Sequence, residues 1–87
     1  MSNEFKHVPH ISKRFKKSFE SLDKEMKHRT VEKLEELLKG YISGEPLRGE
    51  YKGFKRIRIG KYRLIYSNSE PCKMYLYDIR PRETAYI

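Results

Sequence analysis

The most informative stretch of the chain is Lys55-Arg56-Ile57-Arg58-Ile59-Gly60-Lys61-Tyr62-Arg63-Leu64-Ile65-Tyr66, which predicts a β-hairpin. Gly60 stands at the first central position of a two-residue loop, where a type II′ turn requires a positive φ. That turn sets the pairing, so Ile59 should face Tyr62 and Arg58 should face Arg63.

Alternation along these two strands sorts their side chains onto two faces. Arg56, Arg58 and Arg63 fall on one side, which we call the arginine face, and the aliphatic residues fall on the other. Like charges directly opposite each other on a sheet repel. An anion bound between Arg58 and Arg63 is the simplest reason for such a cluster.

The charge of the chain points to a polyanionic partner. With 87 residues and a formal net charge of +8, the sequence predicts one small basic domain over 1–87. Residues 1–45 carry ten Lys/Arg against eight Asp/Glu, whereas residues 46–87 carry ten against four. The positive field therefore belongs to the second half, which contains the hairpin.

Several classes of protein are disfavoured by composition. Cys72 is the only cysteine, so an intrachain disulfide is impossible, and the three histidines are too scattered for a metal site. We therefore expect no metal and no cofactor. No apolar run approaches the roughly 18 residues of a membrane span, and no signal peptide is visible, so a cytoplasmic protein is expected.

The N-terminal half predicts a strand and two helices. Residues 4–8 alternate as a short strand that Pro9 should end. A helix is expected from Ile11, with an apolar stripe at helical spacing, and Asp23 should cap a second helix. The stripes run Ile11, Phe15, Phe19, Leu22 and Met26, Thr30 or Val31, Leu34, Leu37 or Leu38, Tyr41, with Gly40 and Gly44 marking the end.

The C-terminal half predicts a meander. Residues 44–46 are expected to form a loop, and after the hairpin residues 72–80 should form a long last strand that Pro81 ends. The order β-α-α-β-β-β predicts an α+β fold in which a three-stranded antiparallel meander packs on a helical hairpin. The arginine face should then be the exposed one.

Several segments together resemble a known family. These are Leu47-Arg48-Gly49, the pair Arg56 and Arg58, the run from Gly60 to Tyr66, and the closing Arg80-Pro81-Arg82-Glu83-Thr84-Ala85-Tyr86. In this order they resemble the RelE branch of the RelE/ParE toxins, which have a microbial RNase-like fold. The resemblance implies an endoribonuclease that cuts messenger RNA in the ribosomal A site, with the ribosome and mRNA as partners, until an antitoxin neutralises it.

The resemblance also implies a set of site residues. Matched by position, the catalytic residues would be Arg56, Arg58, Arg63, Arg82 and Tyr86. Further basic residues are expected to contact RNA or the ribosome, namely Arg48, Lys52, Lys55, Lys61 and Arg80. The best-known bacterial members carry lysines where this chain has Arg56 and Arg58.

The chemistry needs charge stabilisation and proton transfer. Guanidinium groups can stabilise the negative charge that builds on phosphorus during attack by the 2′-hydroxyl. Arginine is a poor proton donor or acceptor, so another group must act as base. The first candidate is Tyr86, whose pKa of about 10 would need lowering by nearby arginines; Lys52, Lys55 or Lys61 could protonate the leaving group, and the sequence does not choose among them.

Two other functions stay open at this point. One is a ParE-like toxin that poisons DNA gyrase, and the other is a catalytically silent module that binds RNA or an antitoxin. In each toxin hypothesis the basic surface predicts an acidic, partly disordered, RelB-like antitoxin that folds on binding.

Overall fold

Two helices pack on one face of a five-stranded sheet in the structure, a computed structural model that describes residues 8–70 and 72–81. The spatial order is β1-β5-β4-β3-β2, with β1 parallel to β5 and all other pairs antiparallel. The elements are β1 (Val8–Ile11), α1 (Lys13–Glu20), α2 (Lys24–Leu38), β2 (Glu45–Pro46), β3 (Lys55–Ile59), β4 (Tyr62–Ser67) and β5 (Lys73–Pro81).

The predicted hairpin is confirmed residue by residue. Strands β3 and β4 pair Ile59 with Tyr62, Arg58 with Arg63 and Ile57 with Leu64. Gly60 has a φ of 59°, whereas Lys61 does not have a positive φ. One positive φ, at the first central residue, is the pattern of a type II′ turn.

Both helices begin at a side-chain cap. Ser12 accepts a hydrogen bond from the Phe15 amide at 2.9 Å, and Asp23 accepts one from the Met26 amide at 2.8 Å. Each oxygen satisfies an amide that has no partner within the helix. Helix α2 ends at Leu38, and Gly40 follows in the left-handed region with a φ of 83°, as its predicted role at the end of the helix requires.

The main core lies between the helices and the sheet. Phe15, Leu22, Leu37 and Leu38 pack on the apolar face of the sheet, which presents Ile59, Leu64, Tyr66, Met74, Leu76 and Ile79. Full burial of each such side chain is worth roughly 1.5–3 kcal/mol. Within the described residues, no helix is long and apolar enough to cross a membrane.

The N-terminal prediction was wrong in its boundaries. The strand is β1, and it includes Pro9, which was expected to end it. Pro9 is tolerated because β1 is an edge strand, where a missing amide donor has no ladder partner to lose. Ile11 belongs to this strand and is 59% exposed instead of starting the helical stripe. Residues 1–7 lie outside the described part of the chain.

Two further predictions were wrong around the second helix and the sheet. Tyr41 lies beyond the helix end and is 74% exposed, because Gly40 turns the chain away from the core. Residues 45–46, expected in a loop, form β2 and pair with β3. The three-stranded meander is thus the centre of a wider sheet, extended by β1 on one edge and β2 on the other.

The arginine face is only partly exposed, in contrast to the prediction. Residues 47–54, which we call the covering loop, lie over its middle: Phe54 contacts Tyr77 edge-to-face at 5.3 Å, and the Gly53 carbonyl accepts a hydrogen bond from Ser67. The predicted sorting was wrong for Ile65, which pairs with Arg56 and so points to the arginine face, where it is only 1% exposed. The loop leaves the arginine end of the face open.

Candidate active site

Three arginines stand side by side on adjacent strands. Arg58 of β3 pairs with Arg63 of β4, and Arg63 pairs in turn with Arg80 of β5. Paired residues in antiparallel strands have Cα atoms about 4.5–5.5 Å apart. We call this set the arginine row; the hairpin alone predicted only its first two members.

A carboxylate joins the arginines at one small cavity. Glu45, Arg56, Arg58 and Arg63 line a space of about 40 Å³. Glu45 pairs with Arg56 across β2 and β3, and its Oε1 lies 3.7 Å from Arg56 Nε. Glu45 is not among the predicted site residues, because a two-residue strand that contains a proline has no readable alternation.

Gly44 holds Glu45 against the sheet. The Gly44 amide donates a hydrogen bond of 2.7 Å to the hydroxyl of Tyr66, whose ring is in the core. A Cβ at Gly44 would lie 2.6 Å from the Arg56 carbonyl oxygen and 2.9 Å from the Tyr66 ring. This close approach positions the next residue, Glu45, beside Arg56.

Asp78 fixes the third member of the arginine row. Its carboxylate is buried, accepts a hydrogen bond of 2.7 Å from Arg80 Nε and accepts another of 2.7 Å from the Ser18 hydroxyl of α1. Burial disfavours the charged form of Arg80, but the hydrogen bond and the charge of Asp78 outweigh it and raise the pKa of Arg80. Arg80, predicted as an RNA contact, is therefore a cation oriented by an acidic neighbour.

The remaining predicted RNA contacts divide between two places. Arg48 is exposed near the start of the covering loop and, together with Glu45 and Arg56, lines a space of about 530 Å³ that adjoins the small arginine cavity. Lys52 is exposed on the same loop. Both can therefore meet an anion that reaches the arginine face.

The two other lysines are placed differently. Lys61 is exposed in the hairpin turn. Lys55 pairs with Tyr66, whose side chain lies in the core, so alternation places Lys55 on the opposite face from the arginines. Arg82 and Tyr86 lie outside the described residues, and their catalytic roles stay predictions.

Aromatic side chains also lie near the arginine row. Tyr62 and Tyr66 are on the helix-covered face, as predicted. Tyr51 and Phe54 of the covering loop contact each other at 6.4 Å, and the Arg14 guanidinium lies 5.5 Å from the Tyr77 ring centre. No local pattern reveals this cluster, because it forms between the loop, β5 and α1.

The chemistry of the site as described is that of a cationic cavity. Within residues 8–70 and 72–81, no group of three or more His, Cys, Asp or Glu side chains could hold a metal ion. Preorganised guanidinium groups around a small cavity can bind a phosphate and stabilise charge that grows on it. A carboxylate at the same cavity adds a group that can accept a proton.

Comparison with known proteins identifies the family. The profile described as ParE toxin of type II toxin-antitoxin system, parDE, matches residues 10–86, most of the chain. The protein belongs to the RelE/ParE toxin superfamily. The resemblance to RelE/ParE toxins that the hairpin and the closing motif of the sequence suggested is therefore confirmed.

Solved structures place this toxin in the RelE-type branch. RelE in the RelE–RelB complex of the archaeon Pyrococcus horikoshii has a TM-score of 0.71 and 25% identity, over 92% of this chain and 99% of that one. YafQ from E. coli has a TM-score of 0.77 and 14% identity, over 93% and 99%. E. coli RelE has a TM-score of 0.69 and 22% identity, over 86% and 83%. Among proteins with curated descriptions, none matches significantly.

Proposed function

We propose that this toxin is a metal-independent endoribonuclease that cuts messenger RNA in the ribosomal A site and so inhibits translation. One observation carries the proposal: Arg56, Arg58 and Arg63 meet a carboxylate at one cavity on the open part of the sheet. Arg58 and Arg63 stand directly opposite each other on β3 and β4, where like charges repel, and a bound phosphodiester would reduce that repulsion.

The proposed reaction is an internal transfer at phosphorus. The 2′-oxygen of one nucleotide forms a bond to the adjacent phosphorus, and the bond from phosphorus to the 5′-oxygen of the next nucleotide breaks. The products are a cyclic phosphate and a free 5′-hydroxyl. The 2′-hydroxyl proton must reach a base, and the departing 5′-oxygen must receive a proton.

The arginines would stabilise the transition state. Negative charge grows on the non-bridging oxygens as five-coordinate phosphorus forms, and fixed guanidinium donors interact with it more strongly than with the ground state. By analogy with the loss of one oxyanion-hole donor, removal of one arginine would slow cleavage by about 10²–10³-fold.

The proposed base is Glu45. Its carboxylate lines the same cavity as Arg58 and Arg63, within reach of a hydroxyl next to a phosphate bound there. Tyr86, implied by the resemblance, is the competing candidate. The source of the proton for the leaving oxygen stays open between Lys52 and Lys61, since Lys55 lies on the opposite face of the sheet.

An acidic antitoxin is the proposed regulator in the cytoplasm. Solved relatives include a RelE–RelB complex and the DinJ–YafQ toxin–antitoxin complex of E. coli. A net charge of +8 favours a partner of opposite charge. We expect the antitoxin to cover or displace the arginine cavity.

The test is cleavage of mRNA on programmed ribosomes. Wild type should cut in the A site; Arg63→Ala, Arg58→Ala and Glu45→Gln should each cut at least 10²-fold more slowly. Tyr86→Phe, compared with Glu45→Gln, identifies the base. Lys24→Ala is the matched control, since it removes one positive charge from the exposed start of α2, and it should cut like wild type.

Three results would overturn all or part of this proposal. Intact mRNA after incubation with folded wild-type toxin would contradict the proposed endoribonuclease activity. Inhibition of DNA gyrase supercoiling by the same preparation would support the ParE-like activity instead. Cleavage by the arginine variants at the wild-type rate would support an endoribonuclease but contradict transition-state stabilisation by these arginines.

A further inference from the structure

A second cavity lies on the arginine face at the end away from the arginine row. Its volume is about 430 Å³, and its walls are formed by His10, Phe54, Ser67, Ser69, Glu70, Lys73 and Tyr75. The size falls within the usual range for small-ligand sites. The reaction proposed above uses none of these residues.

The walls offer aromatic surface from two different elements. Phe54 comes from the covering loop and is braced by Tyr77 at 5.3 Å and Tyr51 at 6.4 Å. Tyr75 comes from β5 and is 43% exposed, so part of its ring is open to solvent. Phe54, which neighbouring rings hold in place, and the solvent-exposed ring of Tyr75 are both suited to stacking with a flat ring.

The carboxylate of Glu70 makes this cavity better suited to a base than to a phosphate. Lys73 Nζ lies 3.7 Å from Glu70 Oε1, so the one lysine in the walls is already paired with a carboxylate. A phosphate there would be repelled by Glu70. A carboxylate instead accepts hydrogen bonds from the exocyclic amino group of a base, which adenine, cytosine and guanine have and uracil lacks.

The covering loop is anchored at the border of this cavity. The hydroxyls of Ser67 and Ser69 both contact the Gly53 carbonyl oxygen, at 3.0 and 3.3 Å, and lie 2.8 Å from each other. Phe54 follows Gly53 directly. These contacts give the cavity a fixed wall, which a stacking site requires.

The position of the cavity matches the path of a single strand. Arg63 and Ser67 lie on the same strand and the same face, four residues and so about 13 Å apart. Exposed Lys52 stands on the covering loop, whose Gly53 carbonyl accepts the Ser67 hydroxyl. An RNA strand held at the arginine cavity can therefore continue over the loop to the second cavity.

We propose that this second cavity binds one RNA base a short distance from the cleaved phosphodiester, by stacking on Tyr75 and Phe54, with preference for a base that carries an amino group. The inference rests on the proposed function for its substrate. In this proposal Tyr75 and Glu70 determine which RNA sequence is bound and how it is positioned, and they take no part in the bond cleavage itself.

The test measures base binding apart from cleavage. Isotope-labelled toxin is titrated with each of the four ribonucleoside monophosphates at millimolar concentration, and with short RNA whose 2′-hydroxyls are methylated so that it cannot be cut. We expect amide shifts at Ser69, Lys73 and Tyr75, weakest for uridine monophosphate. Tyr75→Ala should weaken RNA binding roughly 5-fold or more, whereas Tyr75→Phe should keep it.

Controls separate a local effect from a general one. Tyr41→Ala removes another exposed tyrosine, far from the cavity in sequence, and should bind RNA like wild type. Glu70→Gln should reduce the discrimination against uracil, since it replaces an acceptor carboxylate by an amide that can also donate.

The outcomes distinguish this inference from the proposed function. Shifts at the cavity support the base site even if ribosomes show no cleavage. Absence of shifts with all four nucleotides and with RNA overturns it even if mRNA is cut. Shifts produced only by an acidic antitoxin peptide would also overturn it, because the cavity would then belong to a protein interface.

Discussion

Gly44 connects the core to the active cavity. It has no room for a side chain, since the Arg56 carbonyl and the Tyr66 ring both lie within 3 Å of the position that a Cβ would take. Its amide also gives the buried Tyr66 hydroxyl its hydrogen bond. The need here is space, because Gly44 is not among the glycines with positive φ.

Gly44→Ala should therefore lower stability and activity together. A methyl group forced against backbone costs typically 1–3 kcal/mol, which for a domain of this size lowers Tm by roughly 4–8 °C per kcal/mol. Thermal unfolding followed by circular dichroism measures it. Ser43→Ala, at the exposed preceding residue, is the control and should unfold like wild type. An unchanged Tm in Gly44→Ala would show that the strand can move aside freely.

Helix α1 completes the edge of β5. Strand β1 pairs with β5 only as far as Leu76, and beyond it α1 supplies the contacts. The Ser12 amide bonds the Leu76 carbonyl at 3.1 Å, the Ser12 hydroxyl bonds the Tyr77 carbonyl at 2.6 Å, and the Ser18 hydroxyl reaches Asp78. These hydrogen bonds from the cap and the first turns of α1 occupy the edge of β5, the strand that carries Arg80.

Asp78→Asn should weaken this junction strongly. It leaves the Arg80 guanidinium without its charge partner in a largely buried place, and loss of one partner from such a pair costs about 3 kcal/mol. Because the pKa of Arg80 is raised in the folded state, the contribution of its charge is complete below the ordinary arginine pKa and is lost only at strongly alkaline pH. The destabilisation, measured by urea unfolding, should therefore be the same at neutral and mildly alkaline pH.

The control for this prediction is an exposed ion pair. Glu70→Gln removes the partner of Lys73, in a pair whose side chains are more than half exposed, and should cost less than about 1 kcal/mol. Equal losses for the two variants would mean that the Asp78–Arg80 pair contributes no more than a surface pair.

The surface of the molecule attracts polyanions, while the edges of its sheet disfavour pairing with other copies of the chain. Both outer strands of the sheet contain a proline, Pro9 in β1 and Pro46 in β2, and a proline on an edge disfavours pairing with another sheet. The excess positive charge lies in the half that builds the open arginine face. The surface thus favours polyanions and disfavours other copies of the chain.

Binding to non-cleavable RNA should consequently depend steeply on salt. Removing one cation that binds a phosphate should reduce the slope of log K against log salt by roughly 0.7 for a single strand. Arg58→Ala should show such a reduction in fluorescence anisotropy titrations, and Lys24→Ala should not. A slope near zero for wild type would contradict an electrostatic binding face.

Local patterns were sufficient for a definite part of this protein. The Gly60 turn, the alternation on either side of it and the Asp23 cap predicted the hairpin register, the sorting of Arg56, Arg58 and Arg63 to one face, and the start of α2. These features follow from the sequence because turn chemistry, strand alternation and helix capping act over two to four residues.

The remaining features depend on contacts between distant residues. Glu45 reaches Arg56 through a two-residue strand, Arg80 joins the arginine row through β5, and Ser18 meets Asp78 across 60 positions of the chain. The position of the covering loop and the walls of the two cavities likewise depend on contacts between residues that are distant in the sequence. No local period encodes such meetings, since they exist only after the helices and the sheet have packed.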